Sequence, residues 1–149
     1  MIQGFGDMNL SLTFAAIGSA LGTGVAGMAA IGAWKKAFAQ NKIAPFALIA
    51  FVGAPLTQTI YGMILRGKII EANLPATPEA YMYQMIIGIA AGLAMGASAW
   101  MQGKAGASAA DALAETGKGF GQYIMVLGII ETVALFVMAF CMMALPIAG

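Results

Sequence analysis

The residues able to do chemistry in this chain are few, and they are polar groups set into apolar surroundings. Glu131 lies near the middle of a run, Lys118 to the C-terminus, that holds no other charge. A carboxylate at that depth in a bilayer costs about 2.5–3.5 kcal/mol on insertion scales. Two routes avoid a naked charge: the carboxyl takes a proton, or it stays ionised with a cation bound. Either way it carries one positive charge, and a site that alternates between loaded and empty is an ion carrier.

Further oxygens fall at helical spacing. Ala54, Thr57, Gln58 and Tyr61 stand at i, i+3, i+4 and i+7, one helix face, and Gln102 lies on another apolar segment. The Thr57 hydroxyl, the Gln58 and Gln102 amide oxygens and a Glu131 oxygen make an oxygen cage suited to a hard cation. Pro55 cannot donate to the carbonyl four residues earlier, which offers backbone oxygen near Ala54 as a further ligand. Tyr61 is better suited to donate a hydrogen bond to Glu131 and orient it. A proton-only site does not need this many oxygens, so the pattern favours Na+, with H+ alone as the alternative. Taken singly, each of these polar residues could instead make a plain interhelical hydrogen bond, and Thr59 and Thr132 are read that way.

The rest of the composition removes other chemistries. There is no histidine, the commonest metal ligand and general base, and the single Cys141 has no partner for a disulfide or thiol pair.

The elements that must position Glu131 are membrane spans. Hydrophobic residues make up 61% of the chain and charged ones 9%, against roughly 25% charged in soluble domains. The charges bound four long uncharged runs: Asp7 to Lys35, Lys42 to Arg66, Glu79 to Lys104, and the run holding Glu131. Each can cross a bilayer, which takes about 20 apolar residues. The fold class is therefore an all-α membrane protein, residues 1–149 forming a single membrane domain of four transmembrane helices. What remains outside, chiefly RGKIIEANLPATPEA and two short loops, cannot bury a soluble core, so any nucleotide chemistry belongs to partners; nothing points to nucleic acid. MIQGFGDMNL lacks the pattern of a cleavable signal. Loops 35–43 and 104–118 hold or adjoin Lys35, Lys36, Lys42, Lys104 and Lys118, whereas the other side has Arg66 and Lys68 with Asp7, Glu71 and Glu79. The positive-inside rule puts both loops in the cytoplasm and both termini outside. Trp34, Trp100, Tyr81 and Tyr83 then sit at interface depth.

The chain also reads as one hairpin written twice, over 1–74 and 75–149. Each half pairs a small-residue-rich span with a bulkier one. Gly18 with Gly22, and Gly88 with Gly92 and Gly96, recur every four residues, the spacing that lets helix backbones approach closely, and their place on alternate spans favours a concentric arrangement with these helices at an inner wall. LTQTIY in span two and IIETVA in span four place Gln58-Thr59 opposite Glu131-Thr132, and only the second half has the carboxyl.

PLTQTIYG in span two, MQGKAGASAA at the end of span three and IIETVALF in span four resemble the rotor-ring proteolipid of V-type ATPases, most closely the K-type proteolipid of bacterial sodium-pumping enzymes. The resemblance extends over essentially the whole chain. It implies a homo-oligomeric ring with an inner wall of spans one and three, and Glu131 on the outer face as the ion-carrying carboxylate. It implies sodium ligation by Thr57, Gln58, Gln102 and the Ala54 carbonyl, with Tyr61 holding the carboxylate; Ala54 replaces a larger aliphatic residue of that family. The implied partners are identical subunits, a stator subunit bearing an essential arginine, a central-stalk protein and membrane lipids, with ATP hydrolysed by a soluble head. Lys35, Lys36, Gln40, Asn41, Lys42, Asp111, Glu115 and Lys118 are the candidates for stalk contact, a solvated topology-setting loop being the plainer reading. One site per four spans gears such a ring for pumping. A small secondary transporter would also have repeats and a buried acid, but its repeats are often inverted, whereas these hairpins run in the same sense. A structural scaffold would leave Glu131, Gln58 and Gln102 unexplained.

Overall fold

The computed structural model describes residues 6–146, and these are all-helical, with four helices long and apolar enough to cross a membrane. Helix α1 spans Leu10–Ala39; the second span is α2 (Leu48–Gly53), a 3-10 turn (Ala54–Leu56) and α3 (Thr57–Glu71); α4 spans Pro78–Thr116 and α5 spans Phe120–Ala144. The extreme termini, expected outside the membrane and free of a signal, lie outside the described residues.

Local sequence explains the boundaries. The Asp7 carboxylate accepts from the Asn9 and Ser11 backbone N–H groups at 3.1 and 2.7 Å, and its carbonyl accepts from Leu10 N–H at 3.0 Å. It thereby ties off donors that the first turn of α1 leaves unpaired. For α4, Thr77 caps the start by accepting from Ala80 N–H at 3.3 Å, with Pro78 in the first turn. Gly117, at φ 67°, ends it in the left-handed conformation with its N–H on the Leu113 carbonyl.

These boundaries correct the expected loops. The stretch 104–118 is not a loop: α4 continues through Thr116, carrying Lys104, Asp111 and Glu115 on its surface. ASAADALAET is mostly Ala with Leu and Glu, good helix formers, and has no breaker before Gly117, so its charges mark the emergence of a helix from the membrane. Likewise Lys35 and Lys36 belong to the last turns of α1, and the connection proper begins at Gln40. Span two is not one uniform helix. Pro55 cannot supply the N–H that a continuous α-helix needs, and the chain tightens into a 3-10 turn there.

Helices α1 and α4 run parallel and nearly touch. A Cβ on Gly18 would fall within the Gly96 backbone, one on Gly103 within the Gly22 backbone, and one on Gly22 against the Ala99 carbonyl. One on Gly92 would come within 2.8 Å of the Leu10 carbonyl oxygen, and one on Gly88 within 2.5 Å of the Asp7 carboxylate. Gly18, Gly22, Gly88, Gly92 and Gly96 therefore make the close contacts of α1 and α4 inside one chain. Gly24 and Gly32 meet nothing within 4 Å and lie on the open side of α1. Span two packs antiparallel on α1, with Gly62 against Ser11 and Ala15, and Pro55 against Gly22. Helix α5 packs on α4 and α3, with Phe120 and Tyr123 against Phe51 of α2, and is the most open span: only Leu127 and Ala134 of its residues are fully buried.

Candidate functional site

Glu131 is the twelfth of the 25 residues of α5, on the flank that faces α3 and α4, and it is half-buried. The Tyr61 hydroxyl donates to its Oε1 at 2.7 Å, and Gln102 Nε2 approaches its Oε2 at 3.3 Å. Tyr61 comes from α3 and Gln102 from α4, so the carboxylate is held where three helices meet.

Gln102 is fully buried and has every polar atom in use. Its Nε2 also donates to the Leu127 carbonyl at 3.0 Å, and its Oε1 accepts from Gln58 Nε2 at 2.9 Å. Gln58, fully buried too, thus reaches Glu131 through one intervening amide. Its own Oε1 lies 3.2 Å from Thr57 Oγ1, which is 3.1 Å from the Ala54 carbonyl oxygen. Thr57 has one hydroxyl proton for these two acceptors. Ala54 O, Thr57 Oγ1 and Gln58 Oε1 are three neutral oxygens drawn together at the 3-10 turn, the feature expected of hard-cation ligands.

The expected site residues therefore gather into one connected group, with two differences of detail. The Ala54 carbonyl is not bare, since it accepts from both the hydroxyl and the backbone N–H of Thr57. Gln102 presents nitrogen to Glu131, because the Leu127 carbonyl pins its NH2 group; its oxygen keeps one lone pair beyond the bond from Gln58. Thr132 bonds within its own helix, to the Ile129 carbonyl at 2.6 Å.

Among the described residues the ion pairs are Lys36–Glu115 and Lys68–Glu71, neither at Glu131, and no cluster of three His, Cys, Asp or Glu side chains could hold a metal. A cation bound here would have one carboxylate and neutral oxygens as ligands.

Ser98 is a member that the residue pattern does not announce. Buried on α4, it donates from its hydroxyl to the Ile130 carbonyl at 2.9 Å, directly before Glu131. Its one signal in the sequence is its place one turn before Gln102.

Away from the carboxylate, Lys35, Lys36, Gln40, Asn41, Lys42, Asp111, Glu115 and Lys118 are all exposed around one end of the molecule. Lys36 pairs with Glu115 at 2.8 Å beside a cleft of about 440 Å³ between the ends of α1 and α4. Trp34 donates to the Pro45 carbonyl at 2.8 Å and ties the connection down, while Trp100 lies under Lys104, whose ammonium is 4.8 Å from the ring centre. Tyr83 donates to the Ala144 carbonyl at 2.7 Å at the opposite end.

Residues 85–144 match the family model of the ATP synthase C subunit, the ion-translocating membrane rotor component of rotary ATPases. The matched stretch runs from α4 through α5 and contains Ser98, Gln102 and Glu131; Ala54, Thr57, Gln58 and Tyr61 lie before it. No curated protein matches the chain.

Proposed function

We propose that this chain is the rotor-ring subunit of a rotary V-type ATPase and carries Na+ across the membrane on Glu131, ATP being hydrolysed by partner subunits. The observation that carries the proposal is the meeting of three helices at Glu131, with Tyr61 and Gln102 on its carboxylate and the oxygens of Ala54, Thr57 and Gln58 one amide away.

The carboxylate works half-buried on the flank of α5 that faces α3 and α4, on the most open of the four spans. Loaded, its charge is cancelled by the ion and the site can face lipid; unloaded, it needs another positive charge, which an arginine of a stator subunit would supply. Tyr61 holds one carboxylate oxygen throughout and so limits the rearrangement between the two states. Thr57, Gln58, the Ala54 carbonyl and Gln102 replace water around the ion. Identical subunits would close into a ring with α1 and α4 inside, Glu131 outside, lipid filling the centre, and a central stalk seated on the Lys36 and Glu115 end. The two halves, 1–74 and 75–149, would derive from one duplicated hairpin, and one carboxyl per pair gears the ring for pumping.

A ring carrying H+ is the second reading, because Gln102 turns an N–H group towards Glu131 and so takes one oxygen from the sodium cage. Carbodiimide, which attacks protonated buried carboxyls, separates the two. With the purified ring at several pH values, labelling of Glu131 that sodium suppresses and potassium does not is the expected result. Labelling governed by pH alone makes it a proton ring, and no labelling at Glu131 overturns the carrier proposal.

A further inference from the structure

We infer that Ser98 is a positioning residue for the Glu131 site, a latch that sets the rotation of α5 about its own axis; the inference rests on Glu131 being the ion carrier.

The need for a latch follows from the packing. Helix α5 fully buries only Leu127 and Ala134; beside them Tyr123, Val137, Met138, Cys141 and Met142 are half-buried against the neighbouring helices, and the remaining surface is mostly apolar and open. In a bilayer, apolar side chains gain little by choosing a protein neighbour over lipid, so packing alone specifies the azimuth of such a helix weakly. Azimuth is nevertheless what places the carboxylate. At the 5–6 Å radius of a helix with side chains, a turn of about 10° moves a side-chain end by about 1 Å. The Gln102 contact with Glu131, at 3.3 Å, is already at the long end of hydrogen bonding.

Three bonds from α4 to backbone carbonyls of α5 oppose that rotation, one from Tyr83 to Ala144 at the far end of the helix and two beside Glu131. Ser98 Oγ holds the Ile130 carbonyl at 2.9 Å, and Gln102 Nε2 holds the Leu127 carbonyl at 3.0 Å. These two donors are one turn apart on α4 and their acceptors nearly one turn apart on α5, so the antiparallel pair grips α5 at two heights on one side. A bond to a carbonyl fixes the helix frame itself, independently of any rotamer on α5. Gln102 also bonds Gln58 and Glu131, so replacing it disturbs everything at once. Ser98 makes none of those bonds and isolates the positioning.

Ser98→Ala in the full ring tests this, with Ser98→Thr as the variant that keeps the hydroxyl and Ser108→Ala as a control whose hydroxyl bonds only within α4. The readout is the sodium concentration that half-protects Glu131 from carbodiimide, alongside recovery and melting of the intact ring. Ser98→Ala is expected to raise that concentration by about three- to tenfold, the span of interhelical hydrogen bonds in bilayers, in rings recovered as well as wild type. Ser98→Thr is expected to return it towards wild type, and Ser108→Ala to leave it unchanged. An unaltered half-protection in Ser98→Ala overturns the inference while wild-type protection keeps the carrier reading. A loss of ring stability with unaltered protection overturns it equally, reducing Ser98 to packing. If wild-type labelling responds to pH and not to sodium, the sodium proposal fails, and Ser98 is judged by whether alanine displaces the pH profile of labelling and threonine restores it. Absence of wild-type labelling at Glu131 removes both proposals together.

Discussion

Glu131 differs in its surroundings from Asp7, Glu71 and Glu115, whose carboxylates also have hydrogen-bonded partners. Glu71 and Glu115 each have a lysine, and Asp7 has backbone N–H groups, whereas Glu131 has one hydroxyl and one amide as donors. Glu131→Gln keeps the size and removes the charge, so rings should still assemble. Carbodiimide labelling and ATP-driven sodium uptake into vesicles holding the whole complex should both vanish; uptake that persists would place the carrier elsewhere. Tyr61→Phe removes one donor and leaves the aromatic ring in place. The sodium concentration that half-protects Glu131 should then rise by about three- to tenfold, and an unchanged value would make Tyr61 a bystander. The polar group itself was legible in the sequence because hydroxyls, amides and a carboxyl stand out against aliphatic neighbours. The direction of each bond was not. Which end of the Gln102 amide faces Glu131 depends on the Leu127 carbonyl, a backbone atom of another helix, and no side-chain pattern announces it.

At the scale of the helix, glycine sets how close the carboxylate's supports can come. Gly18 and Gly22 let α1 touch α4, and α4 in turn presents Ser98 and Gln102 to α5. Gly18→Ala puts a methyl where the Gly96 backbone lies, and should destabilise the ring at the upper end of the roughly 1–3 kcal/mol that overpacking costs. Melting of the detergent-solubilised ring measures this, with Gly24→Ala, on the open side of α1, losing less. An equal loss at Gly24 would shift the critical contact to the boundary between subunits. The four spans and the alternation of small and bulky helices can be read from composition, yet the helix ends cannot be read from charge. Lysine and aspartate suggest a loop over 104–118, while helix propensity in the same stretch carries α4 on to Thr116. Ser98 escapes a sequence reading for a related reason: among so many Gly, Ala and Ser residues, a serine that bonds and one that merely fits look alike.

Over the whole molecule, the helix lengths are unequal in a way that bears on coupling. At 1.5 Å per residue the 39 residues of α4 extend about 58 Å, well beyond the roughly 30 Å hydrocarbon core. The excess on the Glu115 side stands beside the end of α1, closed by the Lys36–Glu115 pair. Both partners are exposed, so the pair adds little stability by itself. A stiff stub of two helices is nonetheless better suited to take torque from a stalk than the loop that the charges suggest. That use requires the stub to face the cytoplasm, which the excess of lysine near it favours. Single cysteines at Lys42 and Glu79, both exposed at opposite ends, test the orientation in a chain whose Cys141 is replaced by alanine. In right-side-out membranes a thiol reagent unable to cross the bilayer should modify Glu79→Cys, and should reach Lys42→Cys only after the membranes are opened. The reverse pattern would put Lys36, Glu115 and the cleft between them on the outer side. No ATP-hydrolysing head could then seat there, and the coupling proposed for this end would fail even if Glu131 still bound its ion.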